Sequence, residues 1–563
     1  MEDIEIPASG PLVGKKLLYF TSIFVSIGVF LFGYDQGVMS GIITGAHFKN
    51  QFNNPSSLLI GTTVAILEIG ALASSLMVGT IGDVIGRRRT IRYGAFTFVF
   101  GGLLQTISNT ISVLIVGRLI TGIGVGLLST TVPIYQTEIS PPHNRGKLAC
   151  VQFTGNVFGY ASSIWVDYAC SYIENNFAWR IPLFLQCVIG TLLFLGSFII
   201  VETPRWLLAH GHDAEGIVVI ADLYTDGNVR DEKAVNEFKS IKENVLIDRL
   251  EGEKSYSEMF RRYPKRLFVA MTALAFAQLN GINVISYYAP LVFEQAGWVG
   301  RDAILMTGIN AIIYILSTLP PWVLIDSWGR KPILISGGLT MGVSMFLVSY
   351  AMFLDISNTP ALVVLFIISA NSSFAYSWGP IPWLFPGEVL PLSVRSKGAS
   401  LSTATNWLCN FMVGELSPIL LEKIQWRLYL LHGSSCLLSA LVVWILYPET
   451  SGVTLEDMDS VFDDASSIIS SVHSRSNYGA VLDDNVSSRS FVSLAQQARN
   501  QPSLSTELNH SSNSNIKAGA PFILPQDLEP PSSQEITAYR SRDNNSLRGS
   551  IRRGSESVTS LFK

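Results

Sequence analysis

Charge is scarce in this sequence. Only 15% of its 563 residues are charged, while 48% are apolar; an ordinary soluble domain carries roughly a quarter charged residues. The mean hydropathy is +0.35. The deficit lies mainly in the first 450 residues, where long apolar runs repeat. That pattern favours lipid over water as the solvent of this part of the chain. A basic excess is missing too. The net charge is −4, so nothing points to nucleic acid. Cysteine is sparse: Cys150, Cys170, Cys187, Cys409 and Cys436 are odd in number, scattered and mostly inside apolar runs. They have no metal-ligand or redox spacing and read as small apolar fillers. Paired carboxylates, a nucleophile triad, a phosphate loop and a metal cluster are all lacking. The glycines of Gly122–Gly126 lie within an apolar run with no strand context. An enzyme, a metal site and a bound cofactor are therefore not expected. Nor is a cleavable leader: MEDIEIPASGPLVGKK is polar, and the apolar run from Leu17 is too long for a signal core. The first helix is expected to act as the insertion signal and stay.

What is present is a series of apolar runs. A membrane-crossing helix needs about 20 mostly apolar residues. Twelve candidates centre near residues 29, 68, 99, 121, 158, 191, 280, 313, 342, 372, 409 and 438. The tenth, Ala361–Pro386, is interrupted by Gly379, Pro380, Pro382 and Pro386. Such breakers are tolerated where neighbouring helices or a cavity satisfy the freed backbone groups. Basic residues precede helix 1 and follow helices 2, 4, 6, 8 and 10: Lys15/Lys16, Arg87–Arg89, Arg145/Lys147, Arg261/Arg262/Lys265/Arg266, Arg330/Lys331 and Arg395/Lys397. The opposite loops are poorer in basic residues, with Lys49, Arg180, Arg301, Lys423 and Arg427 spread singly. The positive-inside rule then places both termini in the cytosol.

The expected division is a cytosolic tail over 1–16, a six-helix bundle over 17–202, a cytosolic loop over 203–265, a second bundle over 266–450 and a cytosolic tail over 451–563. The loop has charges of alternating sign, as in Asp231, Glu232 and Lys233, and reads as short amphipathic helices. The tail beyond about Ser460 is rich in Ser and Asn and poor in aromatics. It cannot bury enough apolar surface to offset chain ordering, so disorder is expected. Its serines, among them Ser466, Ser467, Ser470 and Ser471, suit regulatory kinases, and turnover by ubiquitin machinery is a further expectation.

The two bundles carry matching punctuation. Gly82–Arg89 follows helix 2, and Asp326–Lys331 follows helix 8. Glu138 and Arg145 follow helix 4, and Glu388 and Arg395 follow helix 10. Glu202 closes helix 6, and Glu449 closes helix 12. The offset is 243 residues for Arg87/Arg330, 250 for Glu138/Glu388 and Arg145/Arg395, and 247 for Glu202/Glu449. Near-constant spacing at four places indicates duplication, and a parallel repeat of six-helix halves is a known transporter plan with its site between the halves. An Arg at a helix end reaches a carboxylate and orphan carbonyls. Asp83, Arg87, Glu138, Arg145, Glu202, Arg330, Glu388, Arg395 and Glu449 are thus read as a conformational gate whose pairs latch the halves on the cytosolic side. Static topology anchoring is the plainer alternative.

These motifs resemble the sugar porter family of the major facilitator superfamily. The likeness runs from about Leu18 to Met458. It rests on Phe32-Gly33-Tyr34-Asp35, the Gly82–Arg89 loop, Arg118–Gly126, Pro133-Ile134-Tyr135 with Glu138, Glu202–Leu207, Gln278–Tyr288, Gly379–Trp383 and Pro448-Glu449-Thr450. Trp165–Tyr168 and Asn406–Phe411 further resemble fungal members, including yeast glycerol/proton symporters. The resemblance implies an all-α membrane protein, twelve transmembrane helices in two bundles with a cytosolic helical linker, and transport of a small sugar or polyol across the plasma membrane or the vacuolar membrane.

A sugar offers many hydroxyls and flat C–H faces, so its site needs amides and aromatic platforms. Gln278, Asn283 and Tyr287 lie at about 0°, 140° and 180° around a regular helix. They converge on one cavity only if helix 7 is distorted, and Gly281 stands between them. The resemblance adds Trp383 and Asn406 as substrate contacts. Cross-helix bonding as structural glue is the plainer reading for buried amides, and it is preferred for Asn310. The sequence also departs from the family. The position of the helix 5 Gln is Phe153, with Gln152 one residue away and about 100° around the helix. Ala277, Tyr314 and Ala375 stand at three other usual hexose contacts. Gln152 is kept as a substrate candidate, while hexose identity does not follow. Asp35 and Arg118 match the proton acceptor and its tuning cation in proton-coupled relatives. An adjacent Arg holds a carboxylate charged, and separating the two lets it take a proton. Intramembrane ionisable groups are functional candidates by default, which adds Glu68 and Asp167, although helix-end solvation is the plainer reading of Asp167. Three functions compete: a proton-coupled symporter of sugar or polyol, a uniporter or exchanger of the same fold, and a transporter-like nutrient receptor.

Overall fold

The computed structural model describes residues 13–139, 145–251, 256–391 and 394–451, with the isolated residues 458, 462, 530, 531 and 535. The tail expectations fall outside these residues. Twenty helices make up the described chain: α1 Lys15–Ile42, α2 Ala46–Gln51, α3 Ser57–Ile85, α4 Arg87–Thr106, α5 Ile111–Ile139, α6 Arg145–Cys170, α7 Phe177–Gly196, α8 Pro204–Ala209, α9 Asp213–Tyr224, α10 Glu232–Glu251, α11 Tyr256–Arg262, α12 Pro264–Leu279, α13 Ile282–Gln295, α14 Arg301–Ser317, α15 Pro321–Ser327, α16 Arg330–Leu354, α17 Thr359–Tyr376, α18 Ile381–Val389, α19 Arg395–Lys423 and α20 Arg427–Leu446.

Eight spans are long and apolar enough to cross a membrane by length and composition: α1, α3, α5, α7, α12–α13, α16, α17–α18 and α20. The pair α14–α15, bent by 42°, makes a ninth. Among the remaining long helices, α10 belongs to the linker, and α4, α6 and α19 complete the twelve; each of these three has a physical reason to be more polar. Helix α4 starts with Arg87, Arg88, Arg89 and Arg92. Helices α6 and α19 carry amides and carboxylates along their length, among them Gln152, Asn156 and Asp167 on one and Asn406, Asn410 and Glu415 on the other.

The breaks follow the sequence. Gly281, at φ 88°, separates α12 from α13, a left-handed conformation that glycine adopts at little cost. Pro380 and Pro382 open the second piece of span 10. Span 8, read from the sequence as one helix, is also broken, because Pro320 and Pro321 remove two amide donors at its bend. Within the first half α4 packs on α5 and α7, α3 on α5, and α1 on α6; in the second, α16 packs on α17 and α20, and α12 on α19. The halves meet where α3 (span 2) packs on α19 (span 11) and α6 (span 5) packs on α14 (span 8). Adding six to each number exchanges the two interfaces, as a pseudo-two-fold repeat requires.

The linker is helical as expected. Helices α8 to α10 enclose a small apolar cluster of Leu208, Ile217, Ile220, Ala221 and Phe238, and Lys242 pairs with Asp213 at 2.5 Å.

Candidate functional site

The duplicated punctuation builds the same cluster twice. In the first half the backbone N–H groups of Arg87 and Arg88, which open α4, donate to Glu202 at 3.1 Å. In the second the N–H groups of Arg330 and Lys331, which open α16, donate to Glu449 at 2.9 Å. A carboxylate is well placed there, since a helix N-terminus offers unpaired amides and a partial positive charge. Gly86 and Gly329 precede these helices at φ 89° and 94°, and a Cβ on either would strike the capping carboxylate. Burial pushes the Glu202 carboxyl above its ordinary range, while the amides of Thr203 and Arg88 pull it down. Around each cap the side chains repeat as well. Arg87 pairs with Glu138 at 3.0 Å and Asp83 at 2.9 Å; Arg330 pairs with Glu388 at 2.9 Å and Asp326 at 3.0 Å. Thr203 and Thr450 donate to Glu138 and Glu388 at 2.6 and 2.7 Å.

This arrangement corrects the latch expectation. Every one of these ion pairs lies inside one half. Across the halves on the same face, Ser396 donates to Asp83 at 3.2 Å, and Ser400 donates to the carbonyl of Ser75. Arg395 donates to the carbonyl of Leu390 at 3.3 Å, and the side chain of Arg145 lies outside the described residues. The clusters brace each half as a rigid body, and they stay intact although the cavity opens on their face.

That cavity lies between the halves and has about 130 Å³ of room for water centres. Its lining runs from Gln36, Asn283 and Ser286 to Thr137 and Leu384, which stand one and four residues before Glu138 and Glu388. It therefore opens toward the basic face. On the opposite side a buried cluster joins the halves, with Val38 and Ile42 from α1, Val64 from α3, and Tyr287, Tyr288 and Val292 from α13.

Four expected substrate residues line the cavity: Gln152, Gln278, Asn283 and Trp383. The break at Gly281 brings Gln278 and Asn283 together, as the angular argument required, and Asn283 donates to Gln278. Two expected residues stand one layer behind. Asn406 accepts from Gln278 at 2.7 Å. Tyr287 accepts from Asn410 at 3.1 Å, and Asn410 accepts from Asn283 at 2.6 Å. These two hold the lining amides and do not face the cavity. Sequence reasoning missed Gln136, bonded to Gln152, and missed Asn156 and Tyr160. Gln152, Asn156 and Tyr160 follow one another at four-residue intervals, so they share one helix face, a stripe that could have been read from the chain. It also missed Trp378, which lines the cavity beside Gly379 at the break in span 10.

The departures from the family pattern shape the wall. Phe153 and Tyr314 line the cavity with Phe374, their ring centroids 6.4 Å (Phe153–Tyr314) and 6.3 Å (Phe153–Phe374) apart. Ala277 lines it too, whereas Ala375 is buried behind. The lining thus combines an aromatic patch with amides from both halves.

The ionisable groups are buried. Arg118 and Asp35 form an ion pair at 3.0 Å, each side chain 1% exposed. Arg118 also donates to the carbonyls of Thr63 and Val64 at 3.2 and 2.9 Å. Removing one member of such a pair leaves an uncompensated buried charge. Asp35 is next to the cavity-lining Gln36. Asp167 is not a solvated helix end: it is 5% exposed and packs against Gly41 with no side-chain hydrogen-bond partner among the described residues.

A cavity lined by amides and aromatic rings and flanked by a buried ion pair, between two duplicated six-span halves, matches one known group of proteins. The model for "Sugar (and other) transporter" fits residues 21–462. The chain belongs to that family. It is 35% identical over 465 residues to the MFS-type transporter criB of Aspergillus cristatus, covering 81% of this chain and 96% of the other. It is 33% identical over 473 residues to a high-affinity glucose transporter of Kluyveromyces lactis, covering 79% and 85%. Among solved structures it is similar to the proton:xylose symporter XylE bound to 6-bromo-6-deoxy-D-glucose, with a TM-score of 0.69, 26% identity, and coverage of 79% of this chain and 98% of that one. The family member described here is an integral, multi-pass membrane transporter of the major facilitator superfamily and not an enzyme.

Proposed function

We infer that the chain carries a sugar or polyol by alternating access, in symport with a proton, with its basic face in the cytosol. The observation that carries the substrate class is the amide array Gln278–Asn283–Asn406–Asn410, held in order and presented to a cavity with Trp378 and Trp383. Amides supply both donors and acceptors to hydroxyls, and indoles stack on C–H faces. The relatives named for glucose and for proton:xylose symport support this reading. The aromatic wall of Phe153, Tyr314 and Phe374 favours a ligand with fewer hydroxyls than a hexose, such as a short polyol or a deoxy sugar. The proton enters on Asp35 and releases Arg118, which the buried pair supports.

The basic face carries the linker helices and both clusters, which supports its cytosolic placement. The plasma membrane is the proposed compartment, and kinases acting on the serine-rich tail are the proposed regulators. A uniporter of the same substrates is the rival. Uptake into vesicles separates the two: labelled hexoses, pentoses, glycerol and longer polyols are offered with and without a pH gradient. Symport predicts accumulation of one class that collapses when the gradient is dissipated. Uptake indifferent to the gradient leaves a uniporter, and no uptake of any of them removes the substrate class.

A further inference from the structure

Glu68, on α3, is the one carboxyl group among the described residues that joins the first half to the substrate amides of the second. It is 1% exposed. Its Oε1 accepts the hydroxyl of Tyr287 from α13 at 2.6 Å, and its Oε2 has no partner among the described residues. From Tyr287 the hydrogen bonds continue to Asn410, to Asn283 and to Gln278. Of these residues only Asn283 and Gln278 reach the cavity. A single chain of bonds therefore runs from a buried carboxylate of one half to the groups of the other half that meet a ligand.

The link lies in the seal on the side away from the cavity mouth. Tyr287 is 1% exposed, and Tyr288 beside it donates to the carbonyl of Gly414 at 2.8 Å. At Tyr288 the helix is interrupted, at φ −128° and ψ 17°, so Tyr287 and Tyr288 form the joint between the inner piece of α13, with Asn283, and its outer piece. Low-dielectric surroundings strengthen such a buried hydrogen bond. The groups packed around Glu68 include the Asp35–Arg118 pair, both within its electrostatic reach.

We propose that Glu68 is a positioning residue for the outer gate: it holds Tyr287, and with it the outer half of α13, in the closed arrangement, and passes the state of the cavity amides to that seal. A ligand hydroxyl that competes for Asn283 draws on Asn410 and Tyr287, and so changes the grip of Glu68. The inference rests on the alternating-access reading above.

The test reads the seal and not transport. A Ser286→Cys reporter is placed in the full chain, in right-side-out vesicles, and its reaction with a membrane-impermeant maleimide added outside is timed against the same chain without the reporter. Ser286 lines the cavity behind the seal, so outside reagent reaches it only when the seal opens. Glu68→Ala and Tyr287→Phe are each expected to speed labelling by about tenfold, as the loss of a buried hydrogen bond implies. The double variant is expected to be no faster than either alone, and Glu68→Gln, which keeps an acceptor, to stay within about twofold of the parent. Parental rates in Tyr287→Phe, additive effects in the double variant, or Glu68→Gln as fast as Glu68→Ala would each overturn the proposal. If Glu68→Ala does not insert, Tyr287→Phe and Glu68→Gln still decide it. No substrate is added, so an uptake panel that fails does not sink this result, and failure here leaves the transport reading standing.

Discussion

The two halves have the same exterior and different interiors. On the basic face Glu202 and Glu449 cap α4 and α16 in the same way, and Arg87 and Arg330 hold matching carboxylates. Inside, the first half carries charge: Asp35, Arg118 and Glu68 are all buried on α1, α5 and α3. The second half carries the bonded amide array Gln278, Asn283, Asn406 and Asn410, while Gln136, Gln152 and Asn156 add cavity amides from the first. Continuity differs as well, since all three broken spans, 7, 8 and 10, belong to the second half. Duplication fixed a frame in which each half moves as a unit. Under the proposed mechanism the interiors then differ in charge: the buried ion pair sits in the unbroken half, and the amides of the second half converge where helix breaks free their side chains.

The largest effect should come from the charge of the first half. Asp35→Asn is expected to abolish accumulation against a gradient while leaving exchange of labelled for unlabelled substrate measurable. Arg118 loses its counter-ion but keeps the carbonyls of Thr63 and Val64, so its buried charge stays partly compensated. Accumulation equal to that of the parent would remove Asp35 from the mechanism and erase the proposed contrast between the halves. Next come the amides. Asn283→Ala leaves the carbonyl of Gln278 and the carbonyl of Asn410 without their donor, and an orphaned buried polar group costs about 1–3 kcal/mol. The half-saturation concentration should rise by roughly tenfold or more on that scale, with coupling intact. A variant that accumulates less at saturating substrate would show that the second half handles the ion too.

How much of this contrast could be read in the chain depends on what kind of signal carried it. The duplicated clusters were legible because they rest on charged residues at fixed offsets, where a lipid-facing alternative is excluded. A latch role does not follow from them, because both members of each pair fall inside one expected bundle, Arg87 and Glu138 in 17–202 and Arg330 and Glu388 in 266–450. Gln278 and Asn283 stood out as polar groups in an apolar run, and the angular mismatch pointed to Gly281. Polarity cannot separate a residue that faces a cavity from one that supports it, which is why Tyr287 and Asn406 were placed one layer too far forward. The break in span 8 was overlooked although Pro320-Pro321 marks it.

A smaller effect tests the aromatic wall. Phe153→Gln restores an amide where the family pattern has one, in the lining that also holds Gln278 and Asn283. It should shift preference toward more hydroxylated substrates by several-fold in competition assays with labelled sugar. The shift stays modest because Tyr314 and Phe374 remain and one added hydrogen bond is worth only about 1 kcal/mol net. An unchanged preference would mean that the wall does not select.

The smallest expected change is the most direct check on symmetry. Glu202→Gln and Glu449→Gln each keep an acceptor at the helix N-terminus and lose the charge. A carboxylate at a helix N-terminus is worth about 0.3–1 kcal/mol when exposed and up to ~2 kcal/mol when partly buried. Glu202 is only 7% exposed, so a value near the upper end applies. Thermal unfolding of the full chain in detergent should fall by a few degrees in each variant, and by nearly the same amount in both. The two sites are far apart in sequence and sit in different halves, so the double variant should add their shifts. If one Glu matters and its counterpart does not, the clusters are equal in geometry but unequal in load. The half that loses less would then be held by its packing and not by its cap.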